Sequence, residues 1–295
     1  MKLGISGQAL GRTKSLDEIL QVLARHQVHY IELWPDNIPL KEGADNPYQN
    51  HRYEGRDVEW AARQLASFGI EVACVTMPGA FSKEFAADPD AYTQSLIHCL
   101  EIAASFGTAV VNHYCAEFAQ GHDADILRFL GVLEPAVQRA EELGVTMVLE
   151  PEAHDASGTP QGMRKIVDTV GSDRFLVNFD PCNFYHAGQE AFPWGYTVLR
   201  DCIGYVHLKN GCLYDPSQGH MAEAKGAPFG GHLAPNRIYY PVLPQGAVNI
   251  DGLCLSLIDD NYSGVCTLEP HVKPQYVETY YEQEISYLRQ RGYVE

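Results

Sequence analysis

Short apolar runs alternate with longer amphipathic stretches from one end of the chain to the other. The runs Lys2–Ser6, Tyr30–Trp34, Glu71–Met77, Ala109–Cys115, Thr146–Glu152, Phe175–Asp180, Gly204–Lys209 and Gly264–Pro270 are rich in Val, Ile, Leu and aromatic residues. Several show no clean in–out alternation. A strand buried on both faces reads this way, as in a parallel sheet covered by helices. The stretches between them carry helical signals. Ser15-Leu16-Asp17-Glu18 is a capping-box pattern opening Ser15–His26. Ile126, Leu130, Leu133, Val137 and Ala140 recur at helical spacing within Asp123–Leu143, and Val277, Tyr281, Ile285 and Leu288 form a stripe near the C-terminus. Thr159-Pro160 reads as an N-cap followed by proline at the first helical position. Gly69, Gly107 and Gly144 each end a helical run, where a left-handed residue is wanted.

Eight strands alternating with about as many helices leave a closed (β/α)8 barrel or an open doubly wound sheet. A dinucleotide-binding sheet needs a glycine-rich turn after its first strand. Gly4-Ile5-Ser6-Gly7-Gln8-Ala9-Leu10-Gly11 is not that pattern, and no phosphate-loop motif occurs elsewhere. The expected fold is therefore α/β, a (β/α)8 TIM barrel with residues 1–295 as one domain. Two connections are long, Pro35–Glu54 after strand two and Asn210–Val248 after strand seven. Both lie on the strand-to-helix side, where barrel active sites are built. The aromatics Phe229, Tyr239 and Tyr240 in the second suggest a substrate wall, lid or subunit contact.

A formal charge of −17 disfavours nucleic acid as a partner. No apolar run approaches the roughly 20 residues that cross a bilayer, and Met1–Gly7 is too short and polar for a signal peptide. The expectation is a soluble, cytoplasmic protein with no membrane partner. The eight cysteines form no C-x-x-C pair. Cys74, Cys115 and Cys266 fall inside apolar runs, so free buried thiols are expected.

Four chemistry-bearing side chains close apolar runs on strands five to eight: Glu150 before Pro151, Asp180 before Pro181, His207 in Val206-His207-Leu208-Lys209, and Glu269 before Pro270. In a barrel these positions converge on one rim. Carboxylates gathered there repel unless a cation sits between them. Three carboxylates and one imidazole suit a divalent metal of the Mn²⁺ or Mg²⁺ type, with Co²⁺ and Zn²⁺ as alternatives. The absence of cysteine from the set argues against a structural zinc site.

Leu149-Glu150-Pro151, Asn178-Phe179-Asp180-Pro181, Val206-His207-Leu208-Lys209 and Leu268-Glu269-Pro270 resemble the metal-ligand stretches of the xylose-isomerase-like barrels. That group includes sugar phosphate isomerases and epimerases, ketose 3-epimerases, hydroxypyruvate isomerase and inosose dehydratase. The α subunits of C-glycoside deglycosidases are similar. The resemblance implies one divalent metal, Mn²⁺ by preference, on Glu150, Asp180, His207 and Glu269, and a sugar or keto-sugar substrate. It also implies a homo-oligomer, and a smaller β subunit if the protein is a deglycosidase. The chain departs from the ketose 3-epimerases at Leu213, where they carry arginine, and at Ala156, where they carry glutamate. Many relatives have histidine where this chain has Asn183.

The implied chemistry is proton abstraction next to a carbonyl through a metal-stabilised enediolate. Glu150 and Glu269 are the candidate acid/base pair. His113, at the end of strand four, is either a further base at the same rim or a packing histidine. Glu152 and His154 follow the strand-five ligand and are either catalytic or supporting groups. Lys209 either neutralises an oxyanion or pairs with an acid. Trp34 either stacks on a sugar ring or packs its loop. Trp34, Glu152, Asn183 and Lys209 together form the expected substrate-binding set. The leading expectation is a sugar isomerase or epimerase. The alternatives are a lyase on an oxidised sugar and a non-catalytic sugar-binding barrel.

Overall fold

The computed structural model describes residues 1–44, 52–78, 87–114, 123–153, 155–215, 217, 224–226 and 237–295. His154, Cys115 and Phe229 lie outside them. Eight parallel strands close on themselves: β1 (Lys2–Ser6), β2 (Tyr30–Leu33), β3 (Glu71–Thr76), β4 (Val110–Tyr114), β5 (Thr146–Glu150), β6 (Phe175–Phe179), β7 (Ile203–Leu208) and β11 (Val265–Leu268). β1 completes the barrel by pairing with β11, Leu3 opposite Cys266 and Ile5 opposite Leu268.

The helix starts and stops follow local chemistry. Ser15 caps Leu16–Arg25 with a complete capping box: its backbone N–H donates to Glu18 at 2.8 Å, and the Glu18 N–H donates to its hydroxyl. Thr159 caps Pro160–Val170, whose proline needs no N–H partner at that position. Gly69 and Gly107 end their helices at φ of 66° and 73°, a conformation that disfavours any residue with a Cβ.

Inside the barrel the lower layer is apolar. Ala73, Cys74, Val148 and Tyr205 form a buried cluster, with Tyr30, Val110, Leu176 and Val265 against it. Above this plug the inward positions turn polar, with Glu32, Thr76, Asn112, Asn178, His207 and Thr267 all fully buried. The larger core lies between barrel and helices and includes Val111, Phe129, Phe175, Val177 and Phe179.

The two long connections are partly built elements. After β2 the chain makes a short turn at Pro35–Asn37, and Tyr53 returns its hydroxyl to Leu33 O (2.8 Å) and Thr76 O (3.0 Å). After β7 the described residues carry a three-stranded antiparallel sheet, β8 (Cys212–Leu213), β9 (Ala224–Gly226) and β10 (Arg237–Tyr239), with β10 central. Asn210 staples the base of this excursion. Its amide nitrogen donates to Leu243 O and Val248 O, and its oxygen accepts from the N–H groups of Gly211 and Val248. Among the described residues no helix is long and apolar enough to cross a membrane. Seven of the cysteines are free thiols among the described residues, all but Cys212 buried.

Candidate metal centre

The four expected ligand residues meet at the C-terminal rim. Glu150 is the last residue of β5, Asp180 follows β6, His207 lies on β7 and Glu269 follows β11. The prolines after Glu150, Asp180 and Glu269 lack the N–H that would continue a ladder, so each strand stops where its acid is presented. One donor atom from each of the four residues lies within 4.8 Å of all the others, and all four are buried.

His207 organises the set. Its Nε2 is 2.7 Å from Glu32 Oε2, and Glu32 Oε1 in turn accepts from Thr76 Oγ1 at 2.5 Å. A carboxylate accepts only, so the network assigns the ring proton to Nε2. Nδ1 is thereby turned toward Glu150 Oε1 (3.4 Å), Glu269 Oε2 (3.5 Å) and Asp180 Oδ2 (3.9 Å). A carboxylate fixing the far nitrogen is the usual support of a metal-binding imidazole.

Glu150 is held by three carboxamides. Asn112 donates to its Oε2 at 2.8 Å, Asn178 to the same oxygen at 3.4 Å, and Asn183 to its Oε1 at 3.0 Å. Asp180 Oδ1 accepts from the N–H groups of Cys182 and Asn183, capping the short helix Pro181–His186. Its Oδ2 is 2.8 Å from Lys209 Nζ, an ion pair without the angle of a hydrogen bond. Lys209 donates to Glu269 Oε2 at 2.7 Å and lies 3.3 Å from His271 Nε2. The Tyr240 ring packs on the His271 imidazole with centroids 4.8 Å apart. Tyr240 is itself anchored, its carbonyl accepting from the Tyr280 hydroxyl.

The charges do not balance among the described residues. Among these residues, four buried carboxylates, Glu32, Glu150, Asp180 and Glu269, face one permanent cation, Lys209, and the imidazoles of His207 and His271. Burial acts to lower the His207 pKa, but Glu32, Glu150 and Glu269 overcome it and hold the value well above the usual histidine range. Burial raises the Asp180 carboxyl against the pull of Lys209, and Glu150 and Glu269 add to the rise. Burial acts to raise Glu269 as well, yet Lys209 and His207 bring it well below the usual carboxylate range. Both His207 Nδ1 and Asp180 Oδ2 are buried without a hydrogen-bond partner. Orphaned donor atoms, surplus negative charge and an oxygen-rich set with one imidazole fit a hard divalent cation.

The structure corrects one expected site residue. His113 does not face the rim. Asn112 and Tyr114 point into the barrel, and the alternation of the strand sends His113 outward to the helix layer. There it packs against Phe175 (centroids 5.7 Å apart) and Phe129 (6.5 Å). Burial pulls its pKa down to about 3, so it remains a neutral packing group.

The other expected residues fall around the centre. Asn183 commits its amide hydrogens to Glu150 Oε1 and Pro151 O, so what it does here is orient Glu150. Lys209 is paired with two ligand carboxylates. Trp34 is buried and donates its indole N–H to Ser6 Oγ at 3.0 Å, at the top of β1. Glu152 is half-buried just past β5, its backbone N–H donating to Ser157.

Sequence reasoning missed Glu32, Thr76, Asn112, Asn178, Tyr114 and His271 as parts of the centre. The available signal was a polar residue inside an apolar strand, as in Tyr30-Ile31-Glu32-Leu33 and Val110-Val111-Asn112. Tyr114 sits opposite Glu150 in register. Burial, followed by Glu150, Glu269 and Glu32, keeps its phenol well above its ordinary pKa and neutral.

The sequence profile of the xylose isomerase-like TIM barrel family matches residues 20–291. No curated protein sequence matches significantly. Among solved structures, the probable 3-DHS dehydratase AsbF of Bacillus anthracis superposes with a TM-score of 0.72 at 16% identity, covering 98% of this chain and 99% of its own. A xylose isomerase-like barrel from Mycobacterium smegmatis, solved in complex with magnesium, gives 0.71 at 15% identity, covering 98% and 96%. The E. coli 3-keto-D-glucoside 4-epimerase YcjR gives 0.67 at 16% identity, covering 98% and 99%. At such identities the likeness establishes the fold.

Proposed function

The chain belongs to the xylose isomerase-like TIM barrel family, and from that premise we propose that it is a divalent-metal-dependent enzyme of the sugar isomerase/epimerase type. The observation that carries the proposal is the buried set Glu150, Asp180, His207 and Glu269, presented by neighbouring strand ends to one point. These four residues would hold the ion. A bound divalent ion would supply Lewis-acid stabilisation of the charge that builds on substrate oxygens when the adjacent C–H bond is broken. Magnesium is present in one structural neighbour, and the donor set suits Mn²⁺ equally.

The remaining steps belong to the side chains. Glu150, with both oxygens accepting from amides, is held as a fixed ligand. Glu269 is tied through Oε2 to Lys209 and is the better placed proton carrier. It takes the proton from the carbon next to the carbonyl. Return of that proton to the former carbonyl carbon, with the adjacent hydroxyl proton passing to the former carbonyl oxygen, completes an isomerisation. Delivery to the opposite face of the original carbon completes an epimerisation and needs a second donor. The neutral phenol of Tyr114 is available to hold a substrate hydroxyl, and the half-buried Glu152 lies on the same rim. Tyr240 and His271 wall one side of the centre, and Trp34 is offered as a ring-stacking surface.

A second reading is supported by the restraint on Glu150. With one acid immobilised, a single base serves an elimination on an oxidised sugar, in which a β substituent leaves after the same proton is removed. A dehydratase is among the structural neighbours. Solvent exchange in D₂O separates the two readings. Ketoses, inososes and 3-keto-glycosides would be offered with Mn²⁺ or with a chelator and followed by mass spectrometry. Metal-dependent deuterium uptake with all substituents retained is the expected outcome, and Glu269→Gln should reduce exchange about 10²–10⁴-fold, as removal of a general base does. Loss of water or of an aglycone would establish the lyase. Full exchange by both Glu150→Gln and Glu269→Gln would overturn the site.

A further inference from the structure

Lys209 stands in an unusual place for a residue beside a metal centre. It follows His207 by two positions at the end of β7, and its side chain is almost fully buried. Its ammonium nitrogen is 2.7 Å from Glu269 Oε2 and 2.8 Å from Asp180 Oδ2. These are the same two oxygens that face His207 Nδ1, at 3.5 and 3.9 Å. A divalent ion held by His207, Asp180 and Glu269 would draw on oxygens that the ammonium already neutralises. Two cations crowded onto one pair of oxygens repel strongly in a buried setting.

Resting on the reading of the site as a metal centre, we propose that Lys209 is an internal counter-cation that competes with the divalent metal for Asp180 and Glu269 and so sets the metal affinity. On metal entry the ammonium gives up these contacts. His271 Nε2 lies 3.3 Å from the ammonium as a further neighbour. Lys209 is thus a positioning residue. It keeps the two carboxylates apart and oriented without metal, and it makes the centre bind metal less tightly than its donor set would allow.

The sign of the effect is the test, because a lysine that merely braces the ligands would act in the opposite direction. Calorimetric titration of chelator-stripped protein with Mn²⁺ alone should show Lys209→Met binding at least tenfold more tightly than wild type. Lys209→Arg, which keeps the charge, should stay near wild type. Weaker or unchanged binding by Lys209→Met would overturn the proposal, as would equal tightening by Lys209→Arg. Mn²⁺ binding by neither wild type nor Lys209→Met would overturn the metal reading itself, and this inference with it. Should Lys209→Met fail to fold, crystal structures of the wild type with chelator and with Mn²⁺ decide the matter. The metal-bound form should show the Lys209 ammonium beyond 4 Å from Asp180 Oδ2 or Glu269 Oε2. Retention of both short contacts beside the ion would refute the competition.

Discussion

Exchanging Glu32 for glutamine isolates the support behind His207, the imidazole of the proposed metal centre. Glu32 is fully buried, and its Oε2 lies 2.7 Å from His207 Nε2. Glutamine keeps the shape and an oxygen to accept from Nε2–H, and the Thr76 hydroxyl can turn to accept from the new amide. What disappears is the charge. A hydrogen bond to an ionised partner contributes about 1.5–3 kcal/mol against about 0.5–1.5 for a neutral pair. The loss of about 1–2 kcal/mol corresponds to divalent-metal binding roughly 5–30-fold weaker. Glu32→Ala removes the acceptor altogether and strands both Nε2–H and the Thr76 hydroxyl. It should weaken binding about 100-fold and lower folding stability by about 1–3 kcal/mol. Titration of chelator-stripped protein with Mn²⁺, beside denaturant melts of the same samples, reads both effects. The expected order is wild type, then Gln, then Ala. Wild-type affinity in both variants would refute the assignment of Nδ1 as the ligand atom held in place by Glu32.

Two further predictions concern buried titratable groups away from the ligand set. His113 is held neutral with a pKa of about 3, whereas the unfolded chain protonates it near the ordinary histidine value. Its contribution to stability is therefore intact above the ordinary value and drains away as pH falls toward the depressed one. At pH 5 this loss is about 2 kcal/mol, so in denaturant melts the stability of His113→Leu relative to wild type should be higher at pH 5 than at pH 7.5 by about that amount. Its Mn²⁺ affinity should remain within twofold of wild type, and a tenfold loss of affinity would return His113 to the site. Glu284, on the helix Val277–Gln290, accepts from Leu243 N–H at the base of the excursion after β7, and burial raises its pKa to about 8. Below the ordinary carboxylate value both states are protonated. Between that value and about 8 only the unfolded chain releases the proton, so stability falls as pH rises and levels off above. Glu284→Gln keeps the acceptor and should be more stable than wild type at pH 8 by about 3–5 kcal/mol, with little difference at pH 4.5. An equal gain at both pH values would point to packing instead.

Much of the architecture was legible in the amino-acid order. Apolar runs without alternation marked strands covered on both faces, Ser15 and Thr159 marked helix starts, and Gly69 and Gly107 marked helix ends. The four candidate ligand residues were legible because an acid or imidazole closing an apolar strand is a local event, and proline sharpens three of them. The same double coverage hid the rest. A strand apolar on both faces carries no polarity pattern to tell inside from outside, so His113 reads as the rim residue of strand four in place of Asn112 and Tyr114. A single step of parity then sends His113 to the helices and its neighbours to the site. Glu32 belongs to the centre through a contact spanning 175 positions to His207. The sequence by itself determined a parallel barrel with an acid-rich rim. Only closure of the ring decided which buried groups face one another, because charge balance at the centre depends on distances between strands that no local pattern encodes.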